Sequence, residues 1–84
     1  MARYEEIYTQ LSELLQPYAA NGQVITPATL LVEDLGVDSV QAMEFLMELE
    51  DRLDASIPMN ILPEVQSVDD LVKAIEKAIE RAQE

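Results

Sequence analysis

The sequence predicts one all-α domain that spans residues 1–84. Apolar residues recur at helical spacing in three stretches, and no alternating run is long enough to predict a strand. Proline- and glycine-containing segments separate these stretches. The chain is 49% hydrophobic, which suffices for a core, although so short a chain buries only a modest one.

The first helix is predicted from about Ala2 to Gln16. Its apolar positions are Ile7, Leu11, Leu14 and Leu15. Pro17 and Asn21-Gly22 mark its end, and a long loop follows. Within that loop Thr26-Pro27 suits a helix cap and first turn, so a short helical turn through Leu30 and Leu31 is expected, with an ordinary turn as the alternative.

The second helix is predicted to begin at Asp38 or Ser39 and to run to about Leu53. Asp38 and Gln41 have the spacing of a capping box, which would make Ser39 the first helical residue. Pro58 and Pro63 then bracket a segment that can hold at most one or two helical turns.

The last helix is predicted after Ser67, because Asp69 and Asp70 fall in its first turn. Its apolar positions are Val68, Leu71, Val72, Ile75 and Ile79, and its basic residues Lys73, Lys77 and Arg81 come late. Basic residues suit the C-terminal end of the helix dipole.

The second helix carries more apolar surface than one core face needs. One stripe contains Ala42, Leu46, Leu49 and Leu53, with Phe45 beside it. A second stripe of Val40, Met43 and Met47 lies about 130° around the helix. Glu44 and Asp51 border it on one side and Glu50 on the other, with Glu48 further round the helix. Either a neighbouring element covers this second stripe, or it is an exposed docking face on which acids steer a basic partner and methionines adapt to it.

The charge is strongly acidic: 17 acidic residues face five basic ones, and the net charge is −12. Such a surface repels nucleic acid and anionic membranes and favours proteins with basic patches, although acidity for solubility alone is the simpler explanation. No apolar run is long enough to cross a bilayer, and the N-terminus lacks a signal-peptide core. We therefore expect a cytoplasmic protein.

Ser39 follows an acidic, glycine-containing turn and precedes the second helix. The chain has no histidine and no cysteine, so Ser39 has no histidine base. Lys73 and Lys77 fit an exposed helix face, and the Gly-x-Ser-x-Gly motif of hydrolases is absent. No catalytic residue is therefore predicted, and Ser39 is either an ordinary cap residue or a site that another protein modifies.

A phosphodiester on Ser39 would be favoured by the amide groups and dipole at the helix start. Asp38 could help to hold a metal ion that a modifying enzyme brings with its phosphate donor. The acids of the chain do not keep the spacing of a calcium loop, so no resident metal site is predicted.

Residues 34–40 read Asp-Leu-Gly-Val-Asp-Ser-Val and resemble the phosphopantetheine attachment motif of acyl carrier proteins, Asp-Leu-Gly-x-Asp-Ser-Leu. The similarity continues without a gap through Glu44, Met47, Leu49, Glu50, Ile57-Pro58 and Val68. The resemblance implies a bundle of three longer helices and one short helix. It also implies that a magnesium-dependent phosphopantetheinyl transferase attaches 4'-phosphopantetheine from coenzyme A to Ser39, with Asp38 assisting.

The cofactor thiol, and no residue of the chain, would then carry acyl groups as thioesters to enzymes of fatty-acid or other lipid synthesis. The positions that match partner-docking residues of the family are Val40, Met43, Glu44, Met47, Glu50 and Asp51. The candidates for lining a sheltered acyl chain are Phe45, Leu46, Leu49, Ile57, Ile61 and Leu62, which a plain core explains equally well. A monomer is expected, since a carrier must visit many partners.

Three departures from the family pattern matter. Val40 replaces the usual leucine, and Arg52 stands where a further acid is common. The apolar, proline-bounded segment 58–63 differs from the acidic segment of general fatty-acid carriers. It looks more like carriers dedicated to one lipid pathway, such as those that serve a sphingolipid-forming serine acyltransferase. Carriers of peptide synthetases differ in motif and acidity, and the alternative outside the family is an acidic helical adaptor without a prosthetic group.

Overall fold

A computed structural model describes residues 3–20 and 22–82, apart from the side chains of Met59 and Ala82. The element order is α1 (Arg3–Leu15), a 3-10 turn (Gln16–Tyr18), α2 (Ser39–Leu53), a 3-10 helix (Met59–Glu64) and α3 (Val68–Ala82). The all-α class and the plan of three longer helices with one short one are confirmed. In the part of the chain that is described, no helix is long and apolar enough to cross a membrane.

The start of α1 as predicted, Ala2, lies outside the described residues, as does Asn21. Gln16 begins the 3-10 turn instead of closing α1. α1 buries Ile7, Leu11 and Leu15 against the other helices.

α2 begins where the capping box places it. The Asp38 carboxylate accepts a hydrogen bond from the Gln41 amide at 2.8 Å, and the Gln41 side chain accepts one from the Asp38 amide at 3.1 Å. The helix ends at Leu53, because the next residue, Asp54, is left-handed, with φ of 52° and ψ of 50°. Both predicted bounds of α2 are confirmed.

The helical turn expected through Leu30 and Leu31 is wrong. Thr26 begins an ordinary turn, in which the Thr26 amide donates to the Thr29 hydroxyl at 2.8 Å. Leu30 then forms an isolated antiparallel bridge with Ser67. The Leu31 amide donates to the Gln66 carbonyl and the Val68 amide donates to the Thr29 carbonyl, both at 2.9 Å. These long-range hydrogen bonds take the backbone groups that a helical turn would need.

The short helix Met59–Glu64 has the predicted length of one or two turns, but it continues one residue past Pro63. α3 is capped by Ser67, whose hydroxyl accepts from the Asp70 amide at 3.1 Å. The core draws on every long helix and on the loop before α2. Its buried apolar residues are Ile7, Leu11, Leu15, Ile25, Leu31, Leu35, Val37, Ala42, Phe45, Leu46, Leu49, Ile57, Val68, Leu71, Val72, Ile75 and Ile79.

Candidate functional site

The loop before α2 is anchored to the core on one side and hydrogen-bonded to itself. Leu31, Leu35 and Val37 are buried and hold it down. The Asp34 carboxylate accepts from the Leu30 amide at 2.8 Å, and the Asp34 amide donates to the Leu30 carbonyl at 3.0 Å. This packing fixes where the loop delivers the chain to the start of α2.

Gly36 turns the chain immediately before α2. Its φ of 67° is in the left-handed region, which side chains other than glycine adopt at a cost. Its amide donates to the Val32 carbonyl at 2.9 Å, and the next amide, of Val37, donates to the Leu31 carbonyl at 3.0 Å. The glycine of the motif therefore has a backbone role: it closes the turn that presents the following residues.

Ser39 is exposed and is the first residue of α2. Asp38, and not Ser39, caps the helix, so the Ser39 hydroxyl is not needed for that purpose. Within residues 3–20 and 22–82 this hydroxyl makes no hydrogen bond. The amides of Ser39 and Val40 precede the first intrahelical hydrogen bond and therefore face an incoming anion without competition.

Ser39 has no histidine in the sequence to act as its base, and no metal cluster accompanies it among the residues that the structure describes. The described residues contain no group of three or more histidine, cysteine or acidic side chains placed to hold a metal ion. Asp38 uses one carboxylate oxygen on the helix cap. This geometry leaves a free hydroxyl at a helix start, which suits modification by another protein.

The second apolar stripe of α2 is exposed. Val40 is 61% exposed, Met43 41% and Met47 59%. The alternative in which a neighbouring element covers this stripe therefore does not hold in the structure. We call these three residues the docking strip. It begins one residue after Ser39, so a partner bound on it lies close to that hydroxyl.

A shallow depression of about 380 Å³ lies beside the docking strip. Its lining residues are Glu44, Met47, Glu48, Glu50 and Asp51. Four carboxylates around one methionine side chain suit the ammonium or guanidinium group of a partner, whose aliphatic stem can pack on the methionine. We call this surface the acidic depression.

Glu50 has a role that the sequence did not indicate. Its carboxylate accepts a hydrogen bond at 2.5 Å from the amide of Ile57, which is buried. Glu50 thereby fastens the segment that follows α2 to the helix itself. Periodicity could not predict this contact, because it depends on the path of the chain after Asp54.

Arg52 does not weaken the acidic face. Its guanidinium lies 2.7 Å from the Glu13 carboxylate and 3.0 Å from the Gln10 side-chain oxygen, both on α1. By helical geometry Arg52 points well over 100° away from the docking strip. The basic residue that replaces a common family acid ties α2 to α1 instead.

The residues proposed to line an acyl chain are part of the core. Phe45, Leu46, Leu49 and Ile57 are buried, while Ile61 and Leu62 are half-buried at the short helix. A cavity of about 800 Å³ lies instead between the short helix and α3, and Ile61 alone of the six lines it. Their lining role stays a prediction.

Val32 is a further exposed apolar residue near the site that sequence analysis did not single out. It is 65% exposed in the turn that leads to Ser39. Its only signal in the sequence was an apolar run, Leu30-Leu31-Val32, of which the structure buries Leu31 and half-buries Leu30.

These features define a small helical domain of the carrier class, with a free serine at a helix start beside an exposed, acid-rimmed face. Comparison with known proteins agrees. A family model described as "Phosphopantetheine attachment site" matches residues 6–75. The acyl carrier protein of Helicobacter pylori strain J99 is 37% identical over 76 residues, covering 90% of this chain and 94% of the relative.

Two other relatives are acyl carrier proteins of different organisms. The acyl carrier protein of Phytoplasma australiense is 39% identical over 64 residues, which cover 76% of this chain and 84% of that protein. That of Lactobacillus acidophilus is 32% identical over 72 residues, which cover 84% and 90%. The chain belongs to the acyl carrier protein family. Its prosthetic group is 4'-phosphopantetheine, and it is a carrier and not an enzyme.

Proposed function

We propose that Ser39 carries the 4'-phosphopantetheine arm and that the chain delivers acyl thioesters on this arm to enzymes of lipid synthesis in the cytoplasm. The observation that carries the proposal is the exposed Ser39 hydroxyl at the start of α2, free of hydrogen bonds to the described residues. The unpaired amides of the first turn favour the phosphodiester. The arm supplies the thiol, which the chain lacks because it has no cysteine.

Intact-mass measurement tests this assignment. Incubation with coenzyme A, Mg²⁺ and a broad-specificity phosphopantetheinyl transferase should add the mass of one phosphopantetheine group to the wild-type chain. Ser39→Ala should remain unmodified, because alanine has no hydroxyl to form the phosphodiester. A wild-type chain that gains no mass, or an alanine variant that still does, would refute the assignment.

We further propose that partner enzymes dock on α2, with the docking strip as the apolar contact and the acidic depression as the electrostatic one. Exposed apolar residues next to carboxylates support this, because such a surface attracts a basic patch and then buries apolar area against it. Of the proposed docking residues, Val40, Met43, Glu44, Met47 and Asp51 are exposed, and Glu50 is half-buried.

A matched pair of charge reversals tests the docking surface. Glu44 on α2 and Glu80 on α3 are both exposed glutamates, so Glu44→Lys and Glu80→Lys change the net charge equally. Glu44→Lys should raise the KM of the transferase for this chain about tenfold or more. Glu80→Lys should leave it near the wild-type value. An equal effect of both would mean that net charge alone, and not α2, directs the partner.

The sheltering of an acyl chain among the six proposed residues would require the core to open near the short helix. Ile61 and Leu62 are half-buried there, which supports this end as the place of entry. Shelter predicts that a long acyl chain raises the Tm of the loaded protein above that of the phosphopantetheinylated form. An unchanged Tm would place the acyl chain in solvent.

We also propose that this carrier serves one dedicated lipid pathway, with sphingolipid formation as the first candidate. The apolar, proline-bounded segment 58–63 supports the distinction from general fatty-acid carriers. The acyl-loaded protein should be a better donor to a serine-condensing acyltransferase from the same source than to a general fatty-acid condensing enzyme. If the general fatty-acid condensing enzyme is served better, the pathway assignment is wrong, but the carrier function is unaffected.

The family match sets aside the alternative of an acidic adaptor without a prosthetic group, although the exposed docking strip alone would suit an adaptor as well as a carrier. One experiment distinguishes the adaptor from the carrier. An adaptor would bind its partner equally well with Ser39→Ala and lose binding with Met47→Lys, whereas a carrier loses its transfer activity with either change.

A further inference from the structure

The loop before α2 leaves one large apolar side chain in solvent. Five aliphatic residues fall between positions 30 and 37, and the fold buries or half-buries four of them. The fifth, Val32, is 65% exposed. Packing of the core explains the four and does not explain Val32, so a contact outside this chain is the remaining physical reason for an apolar side chain there.

The hydrogen bonds of the turn hold Val32 near Ser39. The Gly36 amide donates to the Val32 carbonyl at 2.9 Å, and the Val37 amide donates to the Leu31 carbonyl at 3.0 Å. The two residues from Val37 to Ser39 span at most about 7 Å. The Leu31 carbonyl oxygen, which belongs to the peptide unit that leads into Val32, therefore lies within about 10 Å of the Ser39 amide.

Glu33 places a negative charge beside Val32. It is exposed, and among residues 3–20 and 22–82 no lysine or arginine lies within 4.0 Å of its carboxylate. The same combination of an exposed apolar side chain and a carboxylate occurs on α2, where Met47 lies in the acidic depression. A protein surface with apolar and basic groups suits both places. We call Val32 and Glu33 the loop contact.

The chemistry at Ser39 indicates which partner reaches the loop contact, given the proposed attachment of the arm to this residue. The Ser39 Oγ forms a bond to the phosphorus of coenzyme A that carries the pantetheine. The bond from this phosphorus to the oxygen bridging the two phosphates breaks, and adenosine 3',5'-bisphosphate leaves. The hydroxyl proton passes to a base of the transferase, since this chain has no histidine.

This step requires the transferase to come closer to the loop than any later partner does. The reacting oxygen and phosphorus must approach to about 3–3.5 Å, so the active site has to surround the Ser39 hydroxyl itself. Enzymes that act on the thiol meet the far end of a long flexible arm and can hold the carrier by α2 alone. We propose that the loop contact is a recognition site for the phosphopantetheinyl transferase and is not required by enzymes that act on the thiol.

The rate of modification and the rate of acylation, measured on the same variants, test this proposal. Val32→Lys should lower kcat/KM of a broad-specificity transferase about fivefold or more, because it removes the apolar contact and opposes a basic surface. Val24→Lys is the matched control, since Val24 is 75% exposed in the same loop and the charge change is equal. It should stay within about twofold of wild type, and so should Val32→Leu, which keeps an apolar side chain.

Prolonged incubation with excess transferase should still complete the modification of Val32→Lys. An ATP-dependent synthetase that joins a free fatty acid to the arm thiol should then acylate this variant within about twofold of the wild-type rate, whereas Met47→Lys should slow both reactions. Urea denaturation should show equal stability for wild type and Val32→Lys, because Val32 is exposed.

Three results would overturn the proposal while the assignment of Ser39 holds. They are a wild-type rate of modification for Val32→Lys, an equal loss of rate for Val24→Lys, and an acylation rate of Val32→Lys that falls as far as its modification rate. A wild-type chain that gains no arm would refute the assignment of Ser39 itself, and the loop contact would fall with it.

Discussion

α2 and α3 are both 15-residue amphipathic helices, yet they use their apolar residues differently. α3 buries all five of its predicted apolar positions, Val68, Leu71, Val72, Ile75 and Ile79. α2 buries Ala42, Phe45, Leu46 and Leu49 but leaves the docking strip of Val40, Met43 and Met47 in solvent.

This difference indicates that the apolar residues of α3 serve stability, whereas the exposed ones of α2 serve recognition. Buried apolar area stabilises a fold by roughly 25 cal/mol per Å², and exposed apolar area contributes nothing to it. The apolar residues of α3 are therefore explained by the core alone. Those of the docking strip need a partner to explain them, and they lie next to the exposed Ser39 hydroxyl at the start of α2.

The largest expected effect on stability comes from truncating the core of α3. Leu71 is fully buried, so Leu71→Ala should lower the free energy of unfolding by about 2–5 kcal/mol. Met47→Ala on the docking strip should change it by less than about 0.5 kcal/mol. Urea denaturation measures both. Equal losses would mean that the docking strip is part of the stabilising core, which would break the comparison.

Substitutions of glycine test whether the turn before α2 positions Ser39 for modification. Gly36→Ala should cost about 1–2 kcal/mol of stability, since φ is 67° and a Cβ would meet no atom within 4 Å. Gly22→Ala is the matched control, because Gly22 also has a positive φ, of 81°, with open space around it.

Both glycine variants should lose similar stability in urea, but Gly36→Ala alone should slow the transferase. The reason is that Gly36, and not Gly22, closes the turn that delivers Ser39. A transferase rate that is slowed alike by both variants would show that stability, and not the geometry of this turn, limits the modification.

Two substitutions of Asp38 distinguish its role as a helix cap from a role in the modification of Ser39. Asp38→Ala should cost about 0.5–2 kcal/mol, because the hydrogen bond to the Gln41 amide is lost. Asp38→Asn should keep that cap and most of the stability. If the carboxylate assists the modification, the asparagine variant should be stable and yet slowly modified. If the transferase modifies Asp38→Asn at the wild-type rate, Asp38 acts only as a helix cap.

The smallest expected effect on stability comes from removing the hydrogen bond between Tyr4 of α1 and Asp69 of α3. The Tyr4 hydroxyl donates a hydrogen bond to Asp69, which raises the pKa of Tyr4 to about 12. The hydrogen bonds from Tyr4 and then Lys73 lower the pKa of Asp69. The fold thus favours neutral Tyr4 and ionised Asp69.

The direction of each pKa shift fixes how that group's contribution to stability changes with pH. The Tyr4 contribution to stability is present below about pH 10 and is lost as the pH rises from there through about 12. The Asp69 contribution is present above about pH 4 and is lost as the pH falls through the lowered pKa. Tyr4→Phe should therefore destabilise the protein at pH 7, and its difference from the wild type should shrink above pH 10. A constant difference would show that packing alone explains the tyrosine.

Much of the fold could be predicted from local patterns. The capping box at Asp38, the stop near Leu53 and the acids at the start of α3 are all short-range signals, and the structure follows them. The exposure of Val40, Met43 and Met47 could be anticipated by angle alone, because five apolar residues of α2 fit one core face and these three do not.

The features that the sequence did not predict depend on contacts beyond a single helix. The turn expected at Leu30 and Leu31 gives way to pairing with the segment before α3, more than 30 residues on. The Glu50–Ile57 hydrogen bond and the orientation of Arg52 towards α1 depend likewise on where separate elements meet. Sequence periodicity carries no information about such pairs.

Fragmentation mass spectrometry of protein purified from its native source tests the central claim most directly. We predict that the phosphopantetheine mass maps to Ser39 at the start of α2. We also predict that any surviving acyl group lies on the arm. An arm found on another residue, or a native protein in which Ser39 is never modified, would contradict the account of α2 as the helix that presents a carrier arm to its partners.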